Sequence, residues 1–227
     1  MATFVLIHGA WHGGWVWEKI VPLLQEHGHN VYYPTLSHTA ETTLSDHIDE
    51  VCSIIRKENL NHIILVGHSF GGLIIAGVAS KMTERIAQLV YLDAIIPENG
   101  LAYFDLCPED RAKKLLEKAQ IGLVPSLTAY EYGLESQEDI SWASSKYTPQ
   151  PLKTFTEPLL FDWKAIAKIK KVYIFCTRST ATSAVQKMNV KAREAKWTYF
   201  ELDTGHSCMI TTRKELVDIL LKLELQA

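Results

Sequence analysis

The stretch Gly67-His68-Ser69-Phe70-Gly71-Gly72 constrains this chain more than any other. It follows an apolar run over 62–66 and precedes a second over 73–79, so the spacing predicts a strand that turns sharply into a helix at Ser69. At such a turn neighbouring backbone crowds the apex, and glycines two residues to either side leave room for it. The serine hydroxyl is then carried to the carboxyl edge of a sheet, where open α/β folds bind their ligands. A purely structural turn would use the same glycines, but it would not ask for both flanking elements.

The rest of the chain fits that placement. Short β-branched runs at 3–7, 30–33, 62–66, 88–92, 171–176 and 197–202 alternate with amphipathic segments, which predicts a mostly parallel α/β sheet joined by crossover helices. Several runs are apolar on both faces, as strands covered by helices on both sides require. Leu44, Ile48, Val51, Ile54 and Ile55 fall at helical spacing opposite Asp46, Asp49, Glu50 and Lys57. Leu216, Ile219, Leu220 and Leu223 repeat the pattern, while Pro22 within 17–25 predicts a helix kinked or restarted there. The alternation fails at 97–163, where the sequence offers a charged helix at 109–119, a stretch rich in Pro, Ser, Tyr and Trp, and no convincing strand. This excursion reads as a small cap inserted over a cleft. With 227 residues, 47% of them hydrophobic, one domain spanning 1–227 with the cap inside it is expected.

A formal net charge of -3 gives no attraction to nucleic acid or to an anionic membrane. No apolar run reaches the roughly 18 residues of a membrane span, because Lys81 and Glu84 close the longest. The N-terminal residues lack the basic start and cleavage site of a secretory signal, and Cys52, Cys107, Cys176 and Cys208 form no paired motif. A cytoplasmic protein with free thiols and a neutral small-molecule partner is expected; whether it forms a homodimer the sequence leaves open.

A serine hydroxyl is a weak nucleophile at neutral pH and needs a base to take its proton. Of nine histidines, only His206 lies beyond the last expected strand, and the order serine then histidine suits this strand–turn–helix arrangement. His27, His29, His38, His47 and His62 read as surface or loop residues, and His68 as part of the turn. His8 and His12 could ligate a metal, but their loop offers no third ligand, so no metal is expected. Attack on a carbonyl develops negative charge on its oxygen, which needs two N–H donors. Phe70, next to the nucleophile, offers one; the glycine-rich loop at 8–15 offers the other, at Ala10. Trp11, His12 and the cap residue Trp142 are candidate substrate contacts in an apolar pocket, although each aromatic taken singly also suits core packing.

FVLIHGAWHGGWVW over 4–17, PLL at 22–24 with GHNV at 28–31, GHSFGG and VYLDAIIP over 90–97 together resemble the methylesterase and hydroxynitrile lyase family of α/β-hydrolases and its bacterial relatives. The likeness is strong through VYLDAIIP, weak in the cap, and returns around His206. It implies the α/β-hydrolase fold, Ser69 and His206 as catalytic residues, Ala10 and Phe70 as the oxyanion donors, and no cofactor. The lyases of that family carry a lysine directly after the histidine and a threonine in the first loop. Here Ser207 and Gly9 stand in those places, so the resemblance favours hydrolysis of a small apolar carboxylic ester.

The chain departs from that family at the acid. The segment 177–183 contains no carboxylate, and Ser179 stands where one is expected. Asp93, at the end of the 88–92 strand, is the first candidate; Asp203, only three residues before His206, is the last. A chain with no acid would be a feeble enzyme, which keeps a ligand-binding receptor on a hydrolase scaffold as the alternative.

Overall fold

The computed structural model describes residues 1–179 and 183–224. Its strands are β1 (Thr3–Ile7), β2 (Asn30–Tyr32), β3 (Ile63–His68), β4 (Ile86–Leu92), β5 (Leu123–Val124), β6 (Gln150–Pro151), β7 (Lys170–Cys176) and β8 (Thr198–Leu202). Six of them form one parallel sheet in the order β2-β1-β3-β4-β7-β8. All six expected strands are present.

Alternation along the strands builds two cores, one on each face of the sheet. Val5, Ile7, Leu65, Leu89 and Tyr91 point to one side with the helices α2 (Leu44–Lys57) and α3 (Gly71–Lys81). Phe4, Leu6, Val66, Val90 and Ile174 point to the other, where they meet α1 (Val21–Glu26) and the last helix, Arg213–Glu224. α2 forms where its stripe faces the sheet. Thr43 caps its N-terminus in a reciprocal pair with Asp46, and Arg56 and Lys57 complement its C-terminal dipole. The same stripe explains His47, which was expected at the surface but is buried: it adjoins Ile48 on the inner edge, and Nε2–H donates to the Ser37 carbonyl at 2.8 Å. Pro22 falls in the first turn of α1, after a separate 3₁₀ turn at Gly14–Trp17, so the expected interruption is a restart.

Between β4 and β7 the chain leaves the sheet. Helices at Tyr103–Leu106, Glu109–Lys118, Gln137–Ser144 and Leu152–Thr156 surround a two-residue antiparallel pairing of β5 with β6. That pairing corrects the expectation of no strand there. It is too short to leave a period in the sequence, and a distant residue pins it: Trp11 donates its backbone N–H to the Gln150 side chain at 3.0 Å and its indole N–H to the Val124 carbonyl at 2.9 Å.

The register aligns the carboxyl ends of the central strands. Ile7 pairs with Gly67, His68 with Leu92, and Leu92 with Ile174. The loops after β1, β3, β4 and β7 therefore open on one edge. Among the described residues no helix is long and apolar enough to cross a membrane.

Candidate active site

Ser69 sits where β3 breaks into α3, with φ 55°, a conformation that costs a non-glycine residue energy and persists because its surroundings hold it. Its N–H donates to the Leu92 carbonyl at 3.2 Å, and its own carbonyl accepts from Ile95 at 3.0 Å. The turn is closely packed. A Cβ on Gly67 would lie 2.6 Å from the Gly71 carbonyl oxygen, and one on Gly72 would lie 2.0 Å from that of Ile95. The glycines at this turn are therefore required by contact with neighbouring backbone.

Asp93 ends β4 in a second left-handed turn, with φ 42°. Its N–H donates to the Ile174 carbonyl at 2.7 Å, which continues the sheet and fixes the side chain's direction. The carboxylate is fully buried and both oxygens are occupied: Oδ1 accepts the Cys176 N–H at 3.2 Å, and Oδ2 accepts from His206 Nδ1 at 2.6 Å. Since a carboxylate can only accept, the proton lies on Nδ1 and Nε2 presents a lone pair. That lone pair faces the Ser69 hydroxyl at 2.9 Å. Asp93 and His206 are shielded while Ser69 is half-buried, so of the three the serine is the one a ligand can reach.

The alternatives for the acid separate clearly. The Asp203 side chain is 85% exposed and pairs with Arg178 at 3.1 Å. Ser179 is buried, with Oγ 3.4 Å from His206 Nδ1, beside the contact that Asp93 makes at 2.6 Å. Thr180, Ala181 and Thr182 of the carboxylate-free segment lie outside the described residues.

His68 has a part that sequence reasoning missed. Its buried ring lies 4.5 Å from that of His206, and Nε2–H donates to the His206 carbonyl at 3.0 Å. The alternation of β3 placed His68 on a buried face, but only the return of the chain at 206 supplied its acceptor. His8 uses both nitrogens, Nδ1–H to the Gly9 carbonyl at 2.8 Å and Nε2 accepting the Leu36 N–H at 3.1 Å. Among the described residues no cluster of histidine, cysteine, aspartate or glutamate is arranged to hold a metal.

Trp11 and His12 are buried in the first loop. The Trp11 ring stands edge-on to Phe155, and His12 packs against Trp15, Tyr132 and Tyr147 while Nδ1–H donates to the Ala10 carbonyl at 2.7 Å. Trp142 packs on Trp15, and the ammonium groups of Lys19 and Lys146 lie over its ring at 4.5 and 4.2 Å. The structure places Trp142, a candidate substrate contact, in this cation–aromatic stack. Phe70 meets Tyr103 and Phe155 edge-on. Gly9 adjoins Ser69: a Cβ there would lie 2.9 Å from the Ser69 Cβ.

Burial governs the protonation of these histidines. Desolvation pushes His8 and His12 down to about 3 and holds His68 well below the usual imidazole range. All three are neutral in the folded protein at pH 7, whereas an unfolded chain protonates near 6.5. Unfolding therefore takes up protons below pH 6.5. The stability these groups permit is complete above that pH and is lost as the pH falls towards 3. Urea denaturation at pH 7, 6 and 5 should show the midpoint dropping, each histidine adding about 1 kcal/mol per pH unit once well below 6.5. A flat stability from pH 7 to 5 would contradict their neutral burial.

Comparison with known proteins agrees with this fold. Residues 4–219 match the family described as "Alpha/beta hydrolase family". A "Carbendazim hydrolyzing esterase" of Nocardioides sp. (strain SG-4G) is 31% identical, over 98% of this chain and 100% of its own. "Salicylic acid-binding protein 2" of Nicotiana tabacum is 30% identical over 77% of this chain and 78% of its own. Among solved structures, an extracellular alpha/beta-hydrolase from a Paenibacillus species superposes with a TM-score of 0.86, covering 98% of both chains at 24% identity, a likeness of fold.

Proposed function

Because this chain belongs to the alpha/beta hydrolase family, we propose that it is a carboxylic ester hydrolase acting on a small apolar ester through an acyl-enzyme. The observation that carries the reading is the continuous relay from the reachable Ser69 hydroxyl through His206 to buried Asp93, at 2.9 and 2.6 Å. The end-to-end relative named an esterase supports it. Asp93 on Nδ1 supports the hydrolase reading over that of a binding protein alone.

In this reading Ser69 Oγ attacks the ester carbonyl carbon and its proton passes to His206 Nε2. The buried carboxylate of Asp93 holds the imidazole in the required tautomer and stabilises the imidazolium that forms. Negative charge on the former carbonyl oxygen is met by the N–H groups of Phe70 and Ala10. Phe70 suits that role by position, since the turn uses the Ser69 N–H for Leu92 and the Gly72 N–H for the Ser69 carbonyl. The C–O bond to the alcohol breaks, and the alcohol leaves with the proton from His206. Water then gives its proton to the same nitrogen and attacks the acyl carbon; the bond to Oγ breaks, His206 Nε2 returns the proton to Oγ, and the acid leaves.

We assign the apolar wall of the pocket to Phe70 and the rings packed on it, Tyr103 and Phe155, with the 97–163 excursion as the cap that carries the last two. Trp11 and His12 support the donor loop from behind, and Trp142 braces the cap against Trp15. The free thiols of Cys52, Cys107, Cys176 and Cys208 suit a cytoplasmic location.

A short-chain p-nitrophenyl ester and a fluorophosphonate test the proposal together. Steady turnover is expected with the ester, and a single covalent adduct on Ser69 with the phosphonate. Ligand capture without turnover or adduct would turn the reading to a receptor, and cyanide release from a cyanohydrin would turn it to a lyase.

A further inference from the structure

The loop that carries His206 is gripped by a turn at 128–134, which belongs to the excursion between β4 and β7. Fully buried Ser207 aims two donors at one acceptor: its N–H lies 3.2 Å and its hydroxyl 3.0 Å from the Tyr132 carbonyl oxygen. Beside this contact two glycines meet backbone to backbone. A Cβ on Gly205 would lie 2.8 Å from the Gly133 carbonyl oxygen, and one on Gly133 would lie 2.9 Å from the Gly205 Cα. Gly133 also holds φ +78°, which a side chain would strain.

The turn is itself well fixed. Thr128 donates its N–H and hydroxyl to the Glu131 carboxylate at 2.7 and 2.8 Å, and Gly133 N–H bonds the Tyr130 carbonyl at 2.9 Å. His68 also holds the His206 carbonyl, at 3.0 Å. The imidazole is thus set by two grips on its backbone, one from the nucleophile turn and one from the cap. A carbonyl that receives two donors from one buried residue is a tether rather than an incidental contact, because releasing it would strand both donors without water.

We propose that Ser207 is a positioning residue: it ties the loop of the general base to the Tyr132 carbonyl, so that His206 reaches Ser69 and Asp93 together only while the 128–134 turn is seated. Cap seating and proton transfer are then one equilibrium, and whatever lifts the turn also withdraws the base. This rests on the reading of His206 as general base. The effect is on geometry at the reacting centre, where a displacement of about 1 Å can cost 10²-fold in rate.

Ser207→Ala, which keeps the N–H and loses the hydroxyl, tests the proposal below its melting temperature. Turnover kcat should fall about 10-fold with KM little changed, and fluorophosphonate labelling of Ser69 should slow in parallel. The low-field proton resonance of the His206–Asp93 hydrogen bond should broaden or shift. Ser207→Thr, which retains the hydroxyl, should recover most of the rate. Gly133→Ala, which pushes the turn off Gly205 with Ser207 intact, should reproduce the kcat loss and serves if Ser207→Ala does not fold. A lower melting temperature with kcat, labelling rate and proton resonance unchanged would make Ser207 merely structural and overturn the proposal. If the wild type neither hydrolyses esters nor takes the phosphonate, the esterase reading fails, while the proton resonance in the same variants still decides whether Ser207 positions His206.

Discussion

Ser69→Ala is expected to lower kcat for a short-chain p-nitrophenyl ester about 10⁶-fold, to a residue of activity that comes from the oxyanion donors and binding alone. The size of the loss follows from what the side chain does. Without Oγ no acyl-enzyme forms, and the only remaining route is direct attack by water in the same pocket. The change is small and local, because the half-buried side chain makes one hydrogen bond, to His206 Nε2 at 2.9 Å. Alanine at φ 55° bears the same backbone strain that serine does, so the variant should fold. Parallel measurement of the melting temperature and of ligand affinity makes the outcome decisive. Turnover lost with affinity kept supports the hydrolase; turnover within 10-fold of wild type would mean that the reaction does not pass through Ser69.

Asp93→Asn should cost about 10⁴-fold in kcat, as loss of the carboxylate does where it holds a catalytic imidazole in one tautomer. The asparagine side chain can turn its NH₂ towards Nδ1, which moves the proton to Nε2 and leaves that nitrogen unable to accept from Ser69. Asp203→Asn should change kcat little, since that carboxylate is 85% exposed and bound to Arg178. The position of Ser179 permits a stricter test. Its Oγ lies 3.4 Å from Nδ1, so the carboxyl carbon of an aspartate there would take the place of that oxygen. The carboxylate oxygens would stand about 1.2 Å beyond it, within reach of a hydrogen bond. The double variant Asp93→Asn, Ser179→Asp should therefore regain about 10²-fold, roughly half of the lost barrier of about 5 kcal/mol. Recovery of the rate in the double variant would identify the acid's role as orientation and charge. No loss in Asp93→Asn would remove Asp93 from the relay.

Much of this molecule was written locally. The central strands of the main sheet announced themselves because a strand covered on both faces is apolar on both, as the Ile63-Ile64-Leu65-Val66 run of β3 is. Ser69 was legible because a strand that becomes a helix within one residue needs glycine where backbone meets backbone, and glycines at fixed offsets are visible in any sequence. His206 was legible from chain order. The β5–β6 pairing left no trace, since two residues cannot show a period and their partner loop lies more than a hundred positions away at Trp11. His47 was misjudged for a related reason, as it falls between two positions of a stripe and only the packing of α2 shows which edge is inside.

What the sequence determined by itself was therefore the sheet, the turn that carries Ser69 and the histidine that could serve as base. Those depend on neighbours along the chain, through backbone sterics and the period of buried side chains. Which carboxylate serves His206, and what holds that histidine in place, were decided only in three dimensions. Asp93, Ser179 and Tyr132 come from separate segments, and a hydrogen bond of 2.6 Å depends on the register of neighbouring strands and the seating of a distant turn, quantities that no local pattern encodes.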